Sequence, residues 1–316
     1  MRILVTGGAG FIGREVVRQL LLDKSNIVTV LDDYSNSSPY NISEFVNQKN
    51  FEGAVEGKIE HKDLLKSIFS RNKFDVVIHA AAQINVQESI DNPEKAFTAN
   101  AFGTYALLEE ARKHDSKFVS IGTCMVYDLA SSNKPIDETH PVKPLSPYAA
   151  SKIAAEALVE SYHHSYGLET VLLRPFNTYG PFQKSNMEGG VIGIFIRNNL
   201  QGMPLKIFGT GEQTRDFLYV EDCASFIIKA SFDENAVGDI FNAGTGKDVS
   251  INDLAMMIAN DEKKIEHIEH HHPQAEIMRL VCNPRKAEEV LGWKPKTTLE
   301  QGIKKTEDWI RGHMNG

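Results

Sequence analysis

Two residues in the middle of the chain have the types and spacing for proton transfer: Tyr148 and Lys152, four apart in an alanine-containing helical pattern that runs to Tyr166. On one helix face, an ammonium beside a phenol favours the phenolate and can also hydrogen-bond a cofactor ribose. Tyr148 would then take the proton of a substrate hydroxyl as hydride leaves the same carbon. Thr123, just past an apolar strand at Lys117–Ile121, can exchange a hydrogen bond with that hydroxyl. Taken alone, the pair reads equally well as an ordinary helix-surface contact.

Hydride chemistry needs an acceptor, and the N-terminal sequence holds a place for one. Gly7, Gly10 and Gly13 follow the apolar strand Arg2–Thr6, and Phe11 and Ile12 open a helical pattern that runs to Leu22. Missing side chains permit a tight turn and a close approach of backbone N–H groups, while the helix aims its positive end at a pyrophosphate. A second strand, Asn26–Leu31, closes on Asp32, whose carboxylate can accept from ribose hydroxyls and would repel a ribose phosphate. NAD is therefore expected in preference to NADP, with the neighbouring Asp33 as the other candidate for the ribose contact.

These residues need a scaffold. Buried-strand patterns recur at Phe74–Ile78, Lys117–Ile121 and Thr170–Leu173, alternating with helical patterns at Asn100–His114 and Tyr148–Tyr166. The expected fold is α/β: a Rossmann-type doubly wound parallel sheet with helices on both faces and a smaller C-terminal substrate-binding lobe. From Arg174 onward, glycines and prolines break the rhythm. Residues 1–175 are assigned mainly to dinucleotide binding and 176–316 mainly to the substrate lobe, with 216–245 returning to the first sheet. The polar stretch Tyr34–Asn50 has room for a short helix. Leu254–Ile258 and Ala287–Leu291 read as further helical pieces, and His270–His272 as a solvated turn rather than a metal site.

The 316 residues are enough for one large or two fused domains. Lys plus Arg number 34 against 42 Asp plus Glu, a net charge of -8 that offers no bulk attraction to nucleic acid or an anionic membrane. Cys124, Cys223 and Cys282 are scattered without ligand spacing, so no structural metal is expected and a reducing, cytoplasmic setting is. No signal sequence precedes the first strand, and no apolar run approaches the roughly 20 residues that span a bilayer.

Several of these segments together resemble the extended short-chain dehydrogenase/reductase family, in its nucleotide-sugar epimerase and dehydratase branch. They are the glycine cradle, His79-Ala80-Ala81-Ala82, Asn100 with Gly103-Thr104, Thr123-x-x-x-Tyr127, Tyr148-Ala-Ala-Ser-Lys152, Arg174-Pro-Phe-Asn177-Thr-Tyr179-Gly-Pro181 and Leu291-Gly-Trp293, and they cover nearly the whole chain. The resemblance implies that Thr123, Tyr148 and Lys152 form the hydroxyl-oxidising set and that NAD stays bound. It places the cofactor at Gly7, Gly10, Phe11, Ile12, Gly13, Asp32, Ala80, Ala82, Asn100, Tyr148 and Lys152. It brings a nucleotide-diphosphate sugar to Asn177 and to Arg215, whose donor fork suits phosphate oxygens. Asn242 reads either as a nucleobase contact or as a local backbone cap, Tyr179 as a substrate contact or turn packing, and Arg279 as a phosphate contact or a solvated arginine. Helices Asn100–His114 and Tyr148–Tyr166 are the expected faces of a homodimer.

A transient ketone opens two routes: hydride returns to the opposite face, or an adjacent C–H is lost and a hydroxyl eliminated. In the dTDP-glucose dehydratases of this branch, Asp and Glu usually follow the catalytic threonine; here Cys124 and Met125 stand there. Met125 has no useful basicity. Cys124 reads as a thiol acid and thiolate base or as a buried small packer. The leading expectation is a UDP-glucose or UDP-N-acetylglucosamine type 4-epimerase. The alternatives are an unusual 4,6- or 5,6-dehydratase that recruits Cys124, and a noncatalytic NAD-binding regulator. Two departures from the family pattern are Lys58 where an adenine-contacting aspartate is common, and His272-Pro-Gln-Ala-Glu276 where an arginine is common. Gln83, Ile84, Asn85 and Gln87 are expected near the nicotinamide and sugar. Glu88 reads as a solvated helix charge rather than a base, and Met187 to Gly190 as a substrate loop.

Overall fold

The computed structural model describes residues 1–128, 134–184, 190–269 and 277–314. In chain order its first half runs β1 (Arg2–Thr6), α1 (Phe11–Leu20), β2 (Ile27–Asp32), β3 (Phe51–Glu56), α2 (Lys62–Arg71), β4 (Val76–His79), α3 (Val86–Asp91), α4 (Pro93–Phe97), α5 (Gly103–His114), β5 (Lys117–Ile121), α6 (Pro147–Tyr166) and β6 (Thr170–Pro175). The second half runs β7 (Asn177–Tyr179), α7 (Val191–Leu200), β8 (Leu205–Phe208), β9 (Thr214–Arg215), β10 (Phe217–Tyr219), α8 (Val220–Ser231), β11 (Asp239–Ala243), β12 (Val249–Ser250), α9 (Ile251–Ala259), β13 (Ile265–Ile268), β14 (Arg279–Leu280), α10 (Arg285–Leu291) and α11 (Leu299–His313).

Seven strands form one sheet in the order β11-β6-β5-β4-β1-β2-β3, every neighbouring pair parallel. This is the expected doubly wound sheet, and its strand order reverses between β1 and β4, where such sheets open a crevice at their carboxyl ends. One face packs Val16, Val17, Leu20, Phe226 and Trp293 against the strands; the other packs Leu65, Phe69, Leu107 and Val159. Strands covered on both sides must be apolar throughout, which is why β1, β4 and β5 read as unbroken runs rather than alternating ones. β11 pairs with β6 at the sheet edge, so the chain returns to the first sheet after the β7–β10 excursion. A third core around Phe195, Leu205, Phe217, Leu254 and Ile310 holds the C-terminal lobe.

The catalytic-helix candidate is well specified locally. Ser146 caps α6 by accepting from the Ala149 N–H, Pro147 occupies its first turn, and Gly167 ends it with φ 67°. Two expectations shift in detail. The helix expected over Asn100–His114 is divided into a π turn over Thr98–Phe102 and α5, and the first helix stops at Leu20 rather than Leu22. His270–His272, His272–Glu276 and Met187–Gly189 lie outside the described residues.

Candidate active site

The glycine cradle sits at the carboxyl end of β1. Gly7 adopts φ 68°, and a Cβ there would lie 2.6 Å from the Ala81 N and 2.8 Å from the Ala80 carbonyl carbon, so only glycine lets the loop reach the end of β4. A Cβ on Gly13 would overlap the Gly7 carbonyl oxygen. Gly10 caps α1 without a side-chain hydrogen bond, and no acidic residue lies in the first turn, which leaves the N–H groups of Phe11, Ile12 and Gly13 suited to an anion. Asp32 is buried at the end of β2. Its Oδ2 accepts from the Ala9 N–H at 2.9 Å, and its Oδ1 from the Tyr34 N–H at 2.9 Å and the Ser37 hydroxyl at 2.8 Å. Two carboxylate oxygens offer about four acceptor positions, so capacity remains for a ribose hydroxyl. These features fit a dinucleotide.

Ala80 and Ala82 lie just beyond β4, where the Ala80 N–H donates to the Thr6 carbonyl at 3.0 Å. Beneath them His79 bridges two hydroxyls, with Nδ1 at 2.8 Å from Thr6 Oγ1 and Nε2 at 2.9 Å from Thr104 Oγ1. Thr104 spends its own proton on the Asn100 carbonyl at 2.5 Å, so His79 must donate from Nε2 and accept at Nδ1. Burial, helped by the charge of Lys152, pushes this imidazole down to about 3 and keeps it neutral. The Asn100 side chain is turned inward: Oδ1 accepts from the Gln83 N–H at 2.8 Å, and Nδ2 donates to the Gln83 carbonyl at 3.0 Å and to Ser151 Oγ at 2.9 Å. It therefore clamps the loop after β4 onto α6. Glu88 pairs with Lys95, as a solvated helix charge does.

Tyr148, Lys152 and Thr123 converge at the carboxyl ends of β4 and β5. The Tyr148 phenol faces Thr123, which eases its ionisation, but burial pushes it up to about 12 all the same. Burial pushes the Lys152 ammonium down to about 8, with the Glu156 carboxylate opposing the change. Lys152 Nζ donates to the Ile121 carbonyl at 2.7 Å. Thr123 also accepts from the Met125 N–H at 3.2 Å, which opens a short turn over Cys124–Val126.

Cys124 is only 3% exposed and packs with Val126, Tyr127, Ile136, Phe176, Leu280 and Cys282. Burial pushes its thiol up to about 12, so at neutral pH it is a protonated, apolar filler.

On the substrate side, Asn177, Tyr179, Gln213, Arg215 and Phe217 line a cavity of about 340 Å3 together with residues of α7 and β8. Asn177 Nδ2 donates to the Asp216 carbonyl at 3.3 Å, and Arg215 donates to the Thr214 and Ile277 carbonyls at 2.8 and 2.6 Å. Among the described residues the side-chain oxygens of Gln183 and Gln213, both in the cavity wall, are buried with no hydrogen-bond donor. Asn242 and Arg279 stand apart from this wall. Asn242 accepts from the Tyr127 hydroxyl at 2.7 Å and donates to the Ile136 carbonyl at 3.3 Å, partners 115 and 106 residues away along the chain. Arg279 pairs with Asp248 at 2.8 Å. Among the described residues no group of three His, Cys, Asp or Glu is placed to hold a metal ion.

Sequence reasoning missed two parts of this centre. Glu156 and Arg174 form a buried ion pair, with Nη2 to Oε2 at 2.6 Å, directly behind Lys152. Asp216 is fully buried and accepts from the backbone N–H groups of Thr245, Gly246 and Cys282, which ties the Arg215 strand to two distant segments. The available signal was an arginine inside the otherwise apolar strand Thr170–Pro175, since a charge there requires a partner.

A sequence model of the NAD dependent epimerase/dehydratase family matches residues 3–244. A putative UDP-glucose 4-epimerase of Methanocaldococcus jannaschii is 38% identical over 98% of this chain and 99% of its own. A dTDP-D-glucose 4,6-dehydratase of Bos taurus is 35% identical over 99% of this chain and 90% of its own. Among solved structures, that of Pal from Bacillus thuringiensis matches with a TM-score of 0.96 at 52% identity, covering 99% of this chain and all of that one (100%).

Proposed function

Since this chain belongs to the NAD-dependent epimerase/dehydratase family, we propose that it is a nucleotide-diphosphate-sugar 4-epimerase of the UDP-glucose or UDP-N-acetylglucosamine type, working through a transient 4-keto sugar. The observation that carries this reading is the convergence of Tyr148, Thr123 and Lys152 at the end of β5, where Lys152 Nζ holds the Ile121 carbonyl two residues before Thr123, at the crevice that the glycine cradle opens. NAD supplies hydride acceptance from the sugar carbon and hydride return to it. Thr123 orients the C4 hydroxyl. Tyr148 takes its proton in the forward half and restores it in the reverse half. Lys152 keeps a positive charge beside the phenol and binds the ribose. Gly7, Gly10, Phe11, Ile12, Gly13 and Asp32 hold the cofactor, and Asn177 and Arg215 the substrate diphosphate. Residues 1–175 with 216–245 serve the cofactor, and the remainder the sugar nucleotide.

Epimerisation is favoured over elimination because proton removal at C5 needs a base, and the two positions after Thr123 supply a methionine and a buried, protonated thiol. The dehydratase relative keeps elimination as the second reading, with Cys124 as an acid. The deciding experiment offers UDP-, dTDP-, GDP- and CDP-sugars and follows product mass and stereochemistry. A C4 epimer of unchanged mass supports the reading; a product short of one water replaces it with the dehydratase, and cofactor binding without turnover replaces it with a regulator.

A homodimer through α5 and α6 fits the exposed Phe102 at the start of α5 and Tyr166 at the end of α6. Sedimentation at several concentrations tests it, with F102E/Y166E expected to shift the species to monomer. A cytoplasmic setting fits three free, buried cysteines, and no helix among the described residues is long and apolar enough to cross a membrane.

A further inference from the structure

The buried polar groups of the centre form a line that runs away from the substrate. Lys152 Nζ rests on the Ile121 carbonyl. One helical turn on, Glu156 lies against the next residue of the same strand end, since a Cβ on Gly122 would overlap its Oε1. Arg174, from β6, closes on Glu156 with Nε at 3.2 Å from both oxygens and Nη2 at 2.6 Å. The far side of Arg174 lies over the Tyr127 ring, 4.8 Å from its centre, and the Tyr127 hydroxyl donates to Asn242 at 2.7 Å. Lys152, Glu156 and Arg174 are all at least nine-tenths buried. A carboxylate so enclosed, with a fork-shaped partner and a packed ring behind that partner, has no freedom to turn aside.

We propose that Glu156, held by Arg174, is a positioning residue for the reaction: its fixed negative charge sets the protonation of both Lys152 and Tyr148. It rests on the reading that these two residues move the substrate proton. The groups facing Lys152 are Glu156 on its own helix, His79 from β4 and the Ile121 carbonyl from β5; Tyr148 faces Thr123, Cys124 and Glu156, and the Arg174 cation from β6 faces Glu156. His79 and Cys124 are neutral at working pH, which leaves Glu156 as the anion that acts on both. A negative charge makes proton loss harder for ammonium and phenol alike, so it raises both. Without Glu156 the ionisation of each residue moves toward lower pH, in the same direction. A merely structural role would lower activity without translating the profile.

The test compares the pH dependence of kcat/KM for holoenzyme, E156Q, E156D and the doubly neutral E156Q/R174M, which leaves no unpaired buried charge. Tyrosinate absorbance of each, minus that of its Y148F derivative, reports the same ionisation without turnover. The expected result is that both limbs, and the Tyr148 absorbance step, move about one pH unit lower in E156Q and by a smaller amount in the same direction in the double variant, which loses the Arg174 cation with the anion, while E156D stays near wild type. Limbs and absorbance unmoved in a folded neutral variant overturn the proposal, as does an E156D profile displaced as far as that of E156Q. Failure of both neutral variants to fold also overturns it, by making the pair a folding element. Full activity in Y148F would instead sink the reading of the pair on which the proposal rests.

Discussion

Tyr148 and Lys152 share one face of α6 but meet the end of β5 at different points: the phenol faces Thr123, and the ammonium donates to the Ile121 carbonyl 2.7 Å away. The proposed proton acceptor and its proposed electrostatic support are thus both met by the segment that leaves β5, Ile121–Thr123.

Removing the phenol removes the proton acceptor without emptying the cradle. Y148F should lower kcat/KM by about a hundred- to ten-thousand-fold. Calorimetric affinity for NAD should change little, because the glycine loop and Asp32 are untouched. K152A should lose activity as well, together with part of the cofactor affinity.

Gly122 has a side-chain reason to be glycine. In G122A the new methyl would press on Glu156 Oε1 and lie 3.1 Å from the Leu173 carbonyl oxygen. Overpacking of this kind costs about 1–3 kcal/mol, which a urea titration would read as a lower midpoint. Activity should fall with it, since Thr123 is the next residue.

Cys124 offers the sharpest separation of the two chemistries. As a packing residue it should tolerate C124A with a modest loss of stability and retained C4 chemistry. Its thiol, pushed up to about 12 by burial, is protonated at neutral pH, so alkylation by a soluble maleimide should be slow there. Loss of a dehydrated product on making C124A would establish the thiol as an acid instead.

His79 gives the fold an acid limit. Its folded value near 3 lies below the unfolded value of about 6.5, so between those values the unfolded chain holds the extra proton. Stability from this group is fully present above about pH 6.5 and is lost as pH falls toward about 3. Urea midpoints from pH 7 down to 4 should decline, and H79Q, neutral throughout, should flatten that slope while starting lower.

Asp32 holds the cradle as well as being the proposed acceptor for the ribose. D32A frees the Ala9 N–H and removes the ribose acceptor together, so NAD affinity should drop about tenfold or more by calorimetry. The loss of the charge should also narrow the preference for NAD over NADP.

The cradle, the alternation of strands and helices, and the Tyr148/Lys152 pair were all legible from the amino-acid order, because each depends on spacings within one turn or one strand. Helices α2 and α11 escaped that reading although both are amphipathic, with Leu65, Ile68 and Phe69 or Ile303, Thr306 and Ile310 at helical spacing and a Thr298–Gln301 capping box ahead of α11. The partners of individual side chains were decided by the tertiary fold alone. Arg174 and Glu156 are 18 residues apart and Asn242 lies 115 from Tyr127, so no local pattern could pair them. The same holds for Cys124, whose neighbours Ile277 and Cys282 come from the far end of the chain and turn a candidate acid into a packed thiol. Periodicity fixes which face a residue occupies. What meets that face, and how much water is left there, depends on segments that only the folded sheet brings together.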